Sequence, residues 1–98
     1  MYLNVIKSYR DVVAVCDSHI LGKRFEEGNF QLDVKESFYK GEEVSMEKAV
    51  MVLRSLAKED ATFNIVGQEA VKAAIASGAI SEDAVGEIQG IPFALVLL

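Results

Sequence analysis

The run Val12-Val13-Ala14-Val15-Cys16 constrains the fold more than any other stretch of the chain. Small and β-branched residues in unbroken succession suit an extended strand. Neighbouring side chains of a strand point to opposite faces, so this one has no polar face to give to water. A chain that carries it must cover a sheet on both sides. The run is far too short for a membrane helix, which takes roughly 20 apolar residues. The longest apolar stretch, Ile91 to Leu98, is also too short and contains Pro92, so it reads as a buried strand. Met1 to Ile6 lacks the basic start and long apolar run of a secretory signal, and the expectation is a cytoplasmic protein with no membrane contact. Cys16 is the single cysteine. It excludes an internal disulfide, fits a reducing compartment and reads as a small buried hydrophobe.

With 98 residues, the chain fits one domain spanning 1–98. A domain of this size buries roughly 60 to 70 percent of its unfolded surface. Hydrophobic residues make up 51 percent and a single proline is present, enough apolar content to offset the ordering entropy. Ten basic residues against 15 acidic ones give a net charge of -5, which repels phosphate polymers at long range and argues against DNA as a partner. Basic residues stand as neighbours only at Lys23-Arg24, and none follows Lys72.

β-Branched and aromatic residues crowd Tyr2 to Ser8 and Asp11 to Cys16, predicting a first hairpin linked through Tyr9-Arg10. Asp17 or Ser18 then offers a cap for one short turn ended by Gly22. From Lys23 to Val34 the pattern predicts strand, Glu-Glu-Gly-Asn turn and strand, with Phe30, Leu32 and Val34 on the buried face. Lys35 to Val44 reads as a loop whose Phe38-Tyr39 must pack somewhere. Ser45 caps a helix over 46–58, in which Met46, Ala49, Val50, Leu53, Leu56 and Ala57 form one apolar stripe. Thr62 to Gly67 reads as a short extended lead into a second helix over 67–77, stopped by Gly78. Ser81 heads a single turn, and Glu87-Ile88, a Gln89-Gly90 turn and Ile91 to Leu97 close the chain as a hairpin or paired strands. Pro92 belongs at a sheet edge or a strand start. The expected class is α+β: a single compact domain with a mixed or antiparallel sheet of about five to six short strands and two main helices.

Catalytic chemistry finds little footing. His19 is the only histidine, which excludes a multi-histidine metal site, and its proximity to Cys16 is not the geometry of a thiolate–imidazole pair. Gly22-Lys23 lacks the first glycine and the Ser or Thr of a phosphate-binding loop. Acidic pairs at Glu26-Glu27, Glu42-Glu43, Glu59-Asp60 and Glu82-Asp83 read as solvated turn charges. No cofactor or metal is expected. The most site-like stretch is Asn64-Ile65-Val66-Gly67-Gln68-Glu69, where a polar residue and a glycine at a strand-to-helix junction can present backbone N–H groups to an anion or partner. In the structural alternative, Asn64 caps a turn, Gly67 relieves crowding and Glu69 favours the helix dipole. Phe38 and Tyr39, followed by Gly41, offer a second surface, for stacking or an interface.

Three stretches, DSHILGKRFEEG (residues 17–28), LDVKESFYKGEEV (32–44) and NIVGQE (64–69), followed by Gly90-Ile91-Pro92, together resemble the archaeal domain of unknown function 424 family over nearly the whole chain. The resemblance implies an archaeal cytoplasmic source and a compact α/β domain. It carries no established activity, substrate or catalytic residue, and it raises an association with RNA or translation that the acidic charge opposes. Some members carry a polar residue, often histidine, where this chain has Phe93, so the resemblance implies no obligatory catalytic group there. The expectation is a non-enzymatic binding or adaptor domain with a protein or RNA partner, contacting it through Lys23, Arg24 and the Asn64 to Glu69 junction. The alternative is a small enzyme whose pocket uses Asn64, Glu69 and Asp17 or His19 around a phosphate or carboxylate ligand. A homodimer joined near Pro92 or the apolar C-terminus is a third expectation.

Overall fold

A computed structural model of the chain describes residues 1–96. In chain order the elements are β1 (Tyr2–Ile6), β2 (Val12–Cys16), a 3-10 turn (Ser18–Ile20), β3 (Arg24–Glu27), β4 (Phe30–Asp33), α1 (Glu36–Tyr39), β5 (Glu42–Glu43), α2 (Met46–Ala57), β6 (Thr62–Val66), α3 (Gln68–Ser77), a second 3-10 turn (Glu82–Ala84), β7 (Gly86–Ile88) and β8 (Ile91–Val96). A six-stranded mixed sheet runs in the order β5-β1-β2-β6-β8-β7, and β3 and β4 pair as a separate hairpin. Among these, only β2 and β6 pair in parallel. The α+β class, the mixed sheet and the two main helices agree with the sequence. No helix among the described residues is long and apolar enough to cross a membrane.

β2 lies inside the sheet, and Val13 through Cys16 are fully buried. Val13 and Val15 point into a core built by α2 and α3, where they join Leu53, Phe63, Ile65 and Ala70. Ala14 and Cys16 point the other way, into a smaller core with Ile20, Leu32, Val34 and Tyr39. The doubly apolar strand is thus covered by helices on one face and by the β3–β4 hairpin with α1 on the other.

Local signals set the helix limits. Ser45 accepts a hydrogen bond from the Lys48 N–H at 3.2 Å, and α2 ends at Ala57 with Lys58 as its C-cap. Gly78, at φ +83°, closes α3 in the left-handed conformation that costs glycine least. Gln89 and Gly90, both at positive φ, make a two-residue connection between β7 and β8 whose twist suits a hairpin.

Three expectations need correction. Lys35 to Val44 is not all loop: the Tyr39 N–H donates to the Lys35 carbonyl at 2.9 Å to form the single turn α1, and Glu42–Glu43 pair with Tyr2 and Leu3 at the sheet edge. Thr62–Val66 is more than a lead-in; it is an interior strand between β2 and β8. Phe30 does not share the burial of Leu32 and Val34, being 71% exposed next to the hairpin turn. Pro92, expected at a sheet edge or a strand start, sits second in β8, at the start of an interior strand beside the edge strand β7. Leu97, taken as the end of that strand, lies outside the described residues.

The fully buried Leu53 joins α2 to the sheet. Leu53→Ala is expected to lower the unfolding free energy by about 2–5 kcal/mol in urea titrations, whereas Met51→Ala, on the exposed face of the same helix, changes it by no more than about 0.5 kcal/mol.

Candidate functional site

Asp17 follows directly on β2, and its side chain makes no bond to the short turn it precedes. Its carboxylate instead crosses to α3. Oδ1 accepts the Ala70 N–H at 2.8 Å and Oδ2 accepts the Glu69 N–H at 3.2 Å, over 53 and 52 residues of chain. These N–H groups have no partner within the helix, and a negative charge beside them also meets the positive end of the helix dipole. Asp17 is therefore buried, at 4% exposure, without being orphaned. Its own N–H donates to the Val66 carbonyl at 3.1 Å, tying the end of β2 to the end of β6.

Gly67 makes this approach feasible. It adopts φ +110°, and a Cβ built there would stand 2.4 Å from the Asp17 carboxyl carbon. A side chain would clash with the cap and strain the backbone together. The Gly67 N–H donates to the Pro92 carbonyl at 2.8 Å, so the junction also holds the start of β8.

Two concavities adjoin the junction. A small pocket of about 130 Å³ is lined by Asp17, His19, Ile20, Gly67, Gln68 and Ile91. A larger groove of about 450 Å³ runs along α3, with Val71, Ile75, Ala76 and Pro92 as apolar lining and Lys72 and Glu82 as charged lining. Gln68 borders both.

The residues singled out in the sequence fall into separate places. Gly67 and Gln68 line the pocket together with Asp17 and His19. Glu69 contributes its backbone N–H while its side chain is exposed. Asn64 caps no turn; it lies mid-strand in β6, opposite Ala14 and Leu95, and is not among the lining residues. Lys23 is exposed, while Arg24 is engaged within its own hairpin by Gln31 Oε1 at 2.8 Å and Glu26 Oε1 at 2.9 Å. Tyr39 is buried with its ring 5.0 Å from that of Phe38 at 84°, and the Phe38 carbonyl accepts a hydrogen bond from Asn4 Nδ2 at 2.8 Å. The two aromatics thus anchor α1 to the sheet. Ile91 and Pro92 were not singled out as site residues, because nothing local to them signals that β8 runs beside β6.

The buried acids of the second core are held neutral. Burial, and secondarily the Asp17 charge, pushes the Cys16 thiol up to about 11 against the lowering effect of the chain's N-terminal amine. Burial, then Cys16 and Asp33, pushes the Tyr39 phenol up to about 12. Neither is a ready nucleophile or base near neutral pH.

The cap and the glycine should behave as one unit. Asp17→Ala is expected to cost about 1–2 kcal/mol, and Gly67→Ala more. The Asp17→Ala/Gly67→Ala double variant should lose less than the sum, because removing the carboxylate removes the clash. Additive losses in chemical denaturation would refute the coupling.

Cys16 and Tyr39 also set an alkaline limit. Their folded pKa values lie above the ordinary 9.0 and 10.0, so their contribution to stability is full below about pH 9 and is lost as pH rises through 11 and 12. The melting temperature should be insensitive to these groups from pH 7 to 8.5 and fall above pH 9. In Cys16→Ala and Tyr39→Phe, that fall should be shallower. A thiol reagent at pH 8 should label Cys16 only upon unfolding.

No curated protein matches the chain. The crystal structure of an uncharacterized conserved protein from Methanopyrus kandleri is similar to it, with a TM-score of 0.84 at 27% identity, over 97% of this chain and 88% of that one. The family model described as "Protein of unknown function (DUF424)" matches residues 6–98. With the fold shared and all but the first residues matched, the chain belongs to the DUF424 family.

Proposed function

We propose that the chain is a non-enzymatic binding or adaptor domain that engages a protein partner through the Gly67-Gln68-Glu69 junction and the groove along α3. The observation that carries this reading is the groove itself. Val71, Ile75, Ala76 and Pro92 make it predominantly apolar, and an open apolar concavity on a small protein suits burial of a partner's side chains. Lys72 and Glu82 supply opposite charges that favour an amphipathic segment carrying both signs.

The chemistry of the junction supports binding over catalysis. Two N–H groups at the start of α3 are committed to Asp17, so a phosphate or carboxylate ligand would have to compete with a buried carboxylate for them. Lys23 and Arg24 extend the contact surface along the β3–β4 hairpin. Because the net charge of -5 opposes direct contact with a phosphate polymer, an association with RNA or the translation machinery runs through the protein partner.

The test is a tagged pulldown from archaeal lysate with and without RNase. The expected partner survives RNase, and its recovery falls at least about fivefold with Ala76→Arg, a change of about 1 kcal/mol at an exposed position of the groove. Lys23→Ala with Arg24→Ala should weaken recovery while leaving the melting temperature nearly unchanged. Recovery abolished by RNase would replace the protein partner with RNA, and recovery indifferent to Ala76→Arg would remove the groove from the interface.

A further inference from the structure

We infer that the pocket at the C-terminal ends of β2 and β6 binds a guanidinium group. The inference stands apart from the groove along α3, and its ligand chemistry follows from three features of the pocket.

Position comes first. β2 and β6 are parallel neighbours, so their carboxyl ends, at Cys16 and Val66, lie side by side at one end of the strands. The chain leaves β2 toward the core of Ile20, Leu32 and Val34, and leaves β6 into α3, which packs in the opposite core. Adjacent strands whose connections depart to opposite faces open a crevice between them, and open α/β sheets place ligands in such crevices. Here the crevice is the 130 Å³ pocket.

Charge comes second. Among the described lining residues Asp17 is the one carboxylate, and none is Lys or Arg. An anion is repelled there. The cap uses only two of the roughly four acceptor positions of a carboxylate, one on each oxygen. A ligand with N–H donors can therefore bind to Asp17 while α3 remains capped. The net charge of -5 draws cations toward the protein at long range.

Shape and polarity come third. Ile20 and Ile91 give the pocket apolar walls, while Gln68 and His19 add hydrogen-bonding groups. An ammonium ion is compact and strongly hydrated, and such walls would strip its water without replacing it. A guanidinium is planar, more weakly hydrated on its faces and carries donors in a fork, which matches apolar walls with a carboxylate and an amide at the rim.

The free chemical group and the side chain of an arginine share this chemistry, and titration followed by amide NMR separates them. Ethylguanidinium is expected to produce saturable shifts at the Gly67, Gln68, Glu69 and Ala70 amides in the low-millimolar range. Ethylurea, of similar shape but uncharged, and ethylammonium should produce much weaker ones. His19→Ala and Gln68→Ala, both exposed positions, should each weaken ethylguanidinium binding at least threefold with the melting temperature retained. Tighter binding of an acetyl-Gly-Arg-Gly-amide peptide than of ethylguanidinium assigns the pocket to a partner's arginine; tighter binding of free arginine than of the peptide assigns it to a small molecule. Shifts that fail to saturate, that appear equally beside surface carboxylates such as Glu59, or that survive both variants unchanged would overturn the site. Failure to recover any pulldown partner with the unaltered protein, with ethylguanidinium binding intact, would count against the groove alone.

Discussion

The contact between the Asp17 carboxylate and the first N–H groups of α3 determines how the two halves of the protein meet. It joins the exit of the innermost N-terminal strand to the start of a helix more than fifty residues later, and both oxygens are used. The backbone tie from Asp17 to Val66 holds the parallel strands at the same level, and the tie from Gly67 to Pro92 adds β8. Three strands and a helix thus converge on one buried charge. Its burial is tolerable because the helix terminus supplies what water would have supplied.

The same contact governs the chemistry available at the junction. A strand-to-helix turn with an open N-terminus is a ready anion site, but here the protein places its own carboxylate there. What remains is an acceptor-rich pocket instead of a donor-rich one. Cys16 and Tyr39 are buried together in the second core, where their neutral forms are favoured. The surface features best suited to outside contact are therefore the pocket, with Asp17 at its side, and the apolar groove that shares Gln68 with it.

Much of this architecture was legible in the residues. The uninterrupted run at Val12 to Cys16 required cover on both faces, and the structure supplies it with helices on one side and a hairpin on the other. Ser45 and Gly78 marked helix ends because capping is a local interaction. What was not legible depended on partners distant in sequence. Asp17 looked like a cap for the turn beside it, because the chain does not reveal that α3 starts within reach. Asn64 looked like a turn residue, since the pairing of Thr62–Val66 between two other strands is a tertiary fact. Gly67 was recognised as a place of crowding, but the carboxylate that crowds it could come only from the fold.

The parallel pairing of β2 with β6 has a consequence for the order in which the protein can assemble. β1 and β2 form a local hairpin and can pair as soon as they leave the ribosome, but the other edge of β2 has no partner until β6 is made. Until then Val13, Val15 and Cys16 present an apolar strand edge of the kind that recruits other chains. The sequence between the two strands encodes the β3–β4 hairpin and α1, which cover Ala14 and Cys16, and then α2, whose Leu53 joins the core of Val13 and Val15. The hairpin cover of one face and the first helix of the other are thus synthesised before β6, so both faces of the most aggregation-prone strand can begin to be shielded while its edge waits.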